Sequence, residues 1–310
     1  MTARKGNRFG ERRLLLLGVL ALVGVAGAAA LLWRGGDDQS PSAAPATGAS
    51  TGPDPVHVHG LGINPVDGAL FVATHTGLFR IGPDERVAIR VGRSRQDTMG
   101  FTVAGADRFL GSGHPDPVTA VERDLPPHLG LIESRDAGAS WTNVALDGEA
   151  DFHVLRVGGD RVYGYDASND RLLASADGGR DWSELAKPGP LVDLAADPID
   201  AQRLVAVSAG ALEQGVFESR DGGGSWRRVA EPLGLLAWPE RERLYLVDGG
   251  GAVLVSRDGG RSFERRGELG GPPAALLAAG ANELYVALHD GSIEHSRDGG
   301  RTWSLRAAMN

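Results

Sequence analysis

Ser296-Arg-Asp298-Gly-Gly300-Arg-Thr-Trp303 is the stretch that decides the fold, because the chain repeats it. Earlier copies read Ser134-Arg-Asp136-Ala-Gly138-Ala-Ser-Trp141, Ser175-Ala-Asp177-Gly-Gly179-Arg-Asp-Trp182, Ser219-Arg-Asp221-Gly-Gly223-Gly-Ser-Trp226 and Ser256-Arg-Asp258-Gly-Gly260-Arg-Ser-Phe263. Successive serines lie 41, 44, 37 and 40 residues apart. A period near 40 with turn chemistry at one fixed point marks a β-propeller blade. Aspartate and serine accept backbone N–H bonds in tight turns, glycine permits a left-handed residue, and the aromatic can wedge between sheets.

Working outward from the last copy, short apolar runs predict four strands: Ala274–Ala279, Glu283–Leu288, Ser292–His295 and Trp303–Arg306. Turn residues separate them, as in an antiparallel blade. The same reading places blades at about 270–307, 232–267, 190–230, 150–187 and 97–146. A further unit at about 56–93 keeps the strands but ends in a degenerate turn, Ile81-Gly82-Pro83-Asp84. The expectation is an all-β, six-bladed propeller, or seven-bladed if one weak unit is hidden.

Of the 310 residues, 56–310 belong to this domain. Cysteine is absent, which excludes disulfides, thiolate metal ligands and a cysteine nucleophile. The net charge is −8, with no basic cluster in the repeats, which argues against nucleic acid as a partner. Residues 1–13 carry a local positive excess, Arg4, Lys5, Arg8, Arg12 and Arg13 against Glu11, before an uncharged run of 20, Leu14–Trp33. That run is long enough to span a membrane, and the charge before it keeps the N-terminus cytoplasmic. The reading is a membrane anchor, the alternative a cleaved signal peptide with small-residue sites near Ala26–Ala30. Residues 34–55, rich in Ser, Ala, Pro, Gly and Thr, read as a disordered tether. The propeller is then expected outside the cytoplasm, or secreted.

The repeated phrase resembles the Asp-box, or BNR repeat, of sialidases, sortilin-type receptors, some glucanases and photosystem assembly factors. That resemblance implies a structural role for Ser134, Asp136, Gly138, Trp141, Ser175, Asp177, Gly179, Trp182, Ser219, Asp221, Gly223, Trp226, Ser256, Asp258, Gly260, Phe263, Ser296, Asp298, Gly300 and Trp303. It also puts these boxes between third and fourth strands, leaving the turns between second and third strands on the opposite face. Residues 56–306 as a whole resemble exported propellers labelled glycosyl-hydrolase-like. Phrases carrying this are His57-Val-His59-Gly60, Ala73-Thr-His75-Thr-Gly77, Gln96-Asp97-Thr-Met99, Ser112-Gly-His114-Pro-Asp116 and Asp151-Phe-His153. Classical sialidase activity is not expected. Phe79-Arg80-Ile81-Gly82 lacks the family proline and falls on a third strand, and no tyrosine matches the nucleophile.

On the face away from the boxes, blades 1 to 3 concentrate chemistry. His57, His59, His75, His114 and His153 are the candidate metal ligands, with copper or zinc the suitable ions and Met99 favouring copper. Candidate ligand-binding residues are Asp97, Met99, Asp116, Asp151, Tyr165, Asp166 and His289; Asp97, Asp151 and Asp166 are also catalytic candidates for glycoside hydrolysis, which needs two carboxylates. His128 lies in a long loop, Ser112–Gly130, placed to cover the mouth. The competing readings are a metal or glycan site, an active glycosidase, and a protein-docking platform without a small-molecule site.

Overall fold

A computed structural model describes residues 56–309 apart from Leu212. The expected anchor at 14–33 and tether at 34–55 lie outside the described residues, among which no helix is long and apolar enough to cross a membrane. Six four-stranded antiparallel sheets follow one another. Blade 1 holds β1 (Val58–Ile63), β2 (Leu70–Thr74), β3 (Gly77–Ile81) and β4 (Ile89–Arg90). Blade 2 holds β5 (Asp97–Gly105), β6 (Arg108–His114), β7 (Leu131–Ser134) and β8 (Thr142–Ala145), with helix α1 (Pro117–Arg123) between its middle strands. Blade 3 holds β9 (Phe152–Gly158), β10 (Arg161–Asp166), β11 (Arg171–Ser175) and β12 (Ser183–Leu185). Blade 4 holds β13 (Leu191–Ala196), β14 (Leu204–Ala209), β15 (Gln214–Ser219) and β16 (Arg227–Ala230). Blade 5 holds β17 (Gly234–Glu240), β18 (Arg243–Asp248), β19 (Ala252–Ser256) and β20 (Glu264–Glu268). Blade 6 holds β21 (Pro273–Ala278), β22 (Leu284–Leu288), β23 (Ser292–Ser296) and β24 (Ser304–Ala308).

Each blade's first strand packs on the first strand of the next, and β21 packs on β1, which closes the ring. The count is six, and among the described residues no strand crosses over to latch the ends.

The repeated phrase builds the same turn five times, between the third and fourth strands of blades 2 to 6. In blade 4 the Ser219 hydroxyl donates to Asp221 at 2.8 Å and accepts from Gly223 N–H at 2.9 Å. Asp221 accepts in addition from the Ser225 N–H and hydroxyl at 2.9 and 2.6 Å. Gly179 shows why glycine is needed: its φ is 97°, and a Cβ there would sit 2.1 Å from Leu131 of the preceding blade.

The apolar core is divided among the six seams between blades. Trp141, Trp182, Trp226, Phe263 and Trp303 each pack into the seam shared with the preceding blade. Blade 1, whose turn is degenerate, contributes no such aromatic to its seam with blade 6. There Ala307 and Met309 fill in, joining Leu61, Leu70 and Ile81. Arg306 then reaches across to the carbonyls of Gly82, Pro83 and Glu85. The ring is fastened by packing and one arginine.

The long loop differs from the sequence expectation. Strand β6 runs on to His114, and α1 follows where no helix was expected. Its start signal is Asp116-Pro117: the Asp116 carboxylate caps the helix, accepting from Val118 and Thr119 N–H at 3.1 and 2.9 Å, and Pro117 needs no partner in the first turn.

Candidate functional site

Irregularities in the first strands shape the mouth of the channel. Val58 pairs with Thr74 and Gly60 with Ala73, so His59 is an extra residue in β1. The same skip leaves Met99 extra in β5, His153 in β9, Val192 in β13 and Ala274 in β21. Such β-bulges re-aim a side chain. All five line one channel of about 180 Å³, with Leu235 of blade 5, which pairs in register with Val247, completing the ring. Blades 1 to 3 thus offer imidazole, thioether and imidazole at positions where blades 4 to 6 offer Val, Leu and Ala.

Two clusters of ligand-type atoms stand at this mouth. The first joins His59, His75 and Asp97, each offering an atom within 4.8 Å of the others. Asp97 leads β5 between blades 1 and 2, accepts at 2.8 Å from His75 Nδ1, and stands 3.7 Å from His59 Nε2. The His59 and His75 rings meet edge-on at 4.1 Å. His57 and His289 extend the group, their rings 6.1 Å apart, with His57 5.4 Å from His75. His59 Nε2 and Asp97 Oδ1 are buried without a hydrogen-bond partner. Burial, then the charges of His75, His153 and His57, pushes the His59 pKa down to about 3. Its lone pair is therefore free at any physiological pH.

The second cluster joins His114, His128 and Asp151. His114 Nδ1 bonds the Pro127 carbonyl at 2.9 Å, and its Nε2 stands 3.6 Å from Asp151. His153 Nε2 lies 2.9 Å from the same carboxylate. Burial raises the Asp151 carboxyl, but the His153 bond and the charges of His153, His114 and His128 outweigh it, leaving the pKa below its ordinary value.

Other residues singled out in the sequence hold the scaffold. Asp166, a catalytic and ligand-binding candidate, is fully buried; it accepts from Arg171 at 2.7 Å, Asn169 at 2.8 Å and the Asp151 N–H at 3.2 Å. Tyr165 donates to Asp170 at 2.7 Å, and Asp116 is the helix cap described above. Arg80 pairs with Asp67 at 3.0 Å. Sequence reading did not single out Asp193 and Arg156, which meet at 2.6 Å in the channel wall, with Asp193 also accepting from Leu236 N–H of blade 5. Its signal was a lone charge in the apolar run Leu191–Ala196. A larger cavity of about 570 Å³ lies on the opposite face, in the seam of blades 6 and 1 that lacks the aromatic wedge. Its acidic and basic linings balance, and its histidine, His295, is stacked on Tyr285 at 4.2 Å and bonded to Glu283 at 3.0 Å.

No family model matches the chain, and no curated protein matches it in sequence. Solved structures do match. A GH74 enzyme from Niastella koreensis is 14% identical over 81% of this chain and 45% of its own, at TM-score 0.58. The GH74 xyloglucanase from Xanthomonas campestris is 21% identical over 81% of this chain and 38% of its own, at TM-score 0.54. YCF48 from Cyanidioschyzon merolae covers 82% of this chain and 85% of its own at 13% identity and TM-score 0.49. The chain spans less than half of either GH74 protein, and these likenesses establish the β-propeller fold.

Proposed function

We propose that this protein is an exported Asp-box propeller, tethered to the membrane by residues 14–33, that binds a transition-metal ion through His59, His75 and Asp97 at the channel mouth. One observation carries the reading: His59 Nε2 and Asp97 Oδ1 face each other at 3.7 Å, buried and unbonded. Two ligands of one tetrahedral zinc ion stand roughly 3.4 Å apart, so the gap is one ion wide. A buried polar atom without a partner is costly, and an ion satisfies both at once. Imidazoles with one carboxylate suit zinc or copper, whereas calcium and magnesium favour oxygen throughout. In this reading His57, whose ring is 5.4 Å from that of His75, is the fourth ligand.

Glycoside hydrolysis is supported less well. It asks for two carboxylates free to flank a bond. Asp97 and Asp151 are both engaged by imidazoles, and Asp166 is enclosed. The test is metal content of the full-length chain, purified in detergent, stripped and reloaded. Stoichiometric zinc or copper that is lost in His59→Ala supports the proposal. A chain that takes up neither ion overturns it, and cleavage of aryl glycosides by that metal-free chain would favour the hydrolase instead.

A further inference from the structure

We propose a second transition-metal centre at the same mouth, built from His114, His128 and Asp151, with His153 beside them. It shares no ligand with the first centre and stands on separate observations.

Asp151 is 3% exposed, yet its Oδ1 has no hydrogen-bond partner, and neither has the buried Nδ1 of His128. The three side chains each present a ligand atom within 4.8 Å of the others. His114 is already oriented: with Nδ1 donating to the Pro127 carbonyl, the Nε2 lone pair points toward Asp151. That second hydrogen bond on a ligating imidazole is the usual arrangement in metal sites.

The long loop supplies this geometry. From His114 the chain leaves the sheet, turns through α1, and comes back so that the Leu129 N–H donates to the Gly113 carbonyl at 2.8 Å. The Gly148 N–H donates to the His128 carbonyl at 2.9 Å, and the Gly130 N–H to Ala150 at 3.1 Å. His128 is thereby held against the segment that leads into Asp151, its ring 5.4 Å from that of His114. The insertion brings a second imidazole beside the first and closes on it.

Two imidazoles and a carboxylate, with a third imidazole already 2.9 Å from that carboxylate, select the same ion class as the first centre, zinc or copper in the divalent state. The two centres are neighbours. Asp97 of the first and His114 of the second are directly paired across β5 and β6, so their Cα atoms are about 5 Å apart. His59, Met99 and His153 line one channel between them.

The full-length chain, freed of metal, is titrated with Co²⁺ followed by its visible absorption, and with Zn²⁺ followed by metal analysis. Two equivalents are expected for the native chain, one for His75→Ala, one for His128→Ala, and none for the double variant. His128 is on a loop, so His128→Gln serves as a second variant, with circular dichroism confirming the fold. Two equivalents retained by folded His128→Ala and His128→Gln would overturn the second centre. A single equivalent abolished by His75→Ala but spared by His128→Ala would overturn it and leave the first centre standing. A single equivalent with the reverse pattern would sink the first and support the second. No uptake by the native chain would end both.

Discussion

Asp97 and His114 are cross-strand partners at the end of blade 2, yet they serve opposite neighbours. Asp97 bonds His75 of blade 1, and His114 turns toward Asp151 of blade 3. Gly113, next to His114, makes this possible: its φ is 137°, and a Cβ would lie 2.1 Å from the Asp97 carbonyl. Gly113→Ala should therefore displace both partners at once. The expected cost is about 1–3 kcal/mol from the backbone conformation, with further loss from the clash. Metal affinity at both centres should fall by roughly 10- to 100-fold, as when supporting residues are lost. Isothermal titration with Zn²⁺ checks this; loss at one centre alone would show that blade 2 is not their common wall.

Arg306 should matter out of proportion to its half-buried position, because its seam is the one without a box aromatic. Arg306→Ala removes its donation to three carbonyls of blade 1. We expect destabilisation of about 1–3 kcal/mol. For a domain of this size that lowers Tm by roughly 2–12 °C. Hydrogen exchange should rise first in β24 and β4. Unchanged exchange there would mean that the apolar packing alone closes the ring.

The box aspartates predict an acid limb in the stability curve. Asp221 is held down to about 2, first by the Ser225 hydroxyl, then by the Ser225 N–H and the Ser219 hydroxyl. In the unfolded chain it titrates near the ordinary carboxylate value of about 3.9. A depressed folded value means that the stabilisation is fully present above the unfolded value and is lost as pH falls through the folded one. Asp136, Asp177, Asp258 and Asp298 are lowered in the same direction. Urea midpoints measured from about pH 5 down to about pH 2 should decline, and Asp221→Asn should flatten that decline while lowering the midpoint at neutral pH. An identical acid slope in the variant would contradict the assignment.

The fold was legible because five turns repeat one chemistry at a nearly constant interval, and the strands between them are short apolar runs. Even blade 1, with its turn lost, kept its strands at Leu70–Thr74 and Gly77–Ile81. The gathering of His59, His75 and Asp97 could be approached because the repeat assigns each a face of the ring. What stayed hidden is three-dimensional. Bulges at His59, Met99 and His153 leave no mark in spacing, since one extra residue in a strand looks like any other. Asp166 could not be told from Asp151: both sit at strand ends on the same face, and only the placement of Arg171 makes one a scaffold residue. The helix α1 was signalled by Asp116-Pro117, but seven residues without a buried position carry no apolar period.

That difference between the two aspartates gives the last prediction. Asp166 is fully buried and draws its compensating charge from Arg171, which donates to it at 3.2 and 2.7 Å. Its other oxygen accepts from the Asp151 N–H and so fixes the backbone of a proposed ligand. Removing one partner of a buried pair strands the other charge, at a cost of roughly 3–5 kcal/mol. Arg171 is one-third exposed, so water will repay part of this, and Arg171→Ala should cost about 2–4 kcal/mol. Arg171 has no atom in either cluster. If Asp166 acts only by positioning Asp151, the variant should weaken zinc at the second centre while leaving the first centre unchanged, which parallel titrations in the His128→Ala and His75→Ala backgrounds would resolve. A stability loss of that size with both affinities intact would instead confine the Asp166–Arg171 pair to holding blade 3 together.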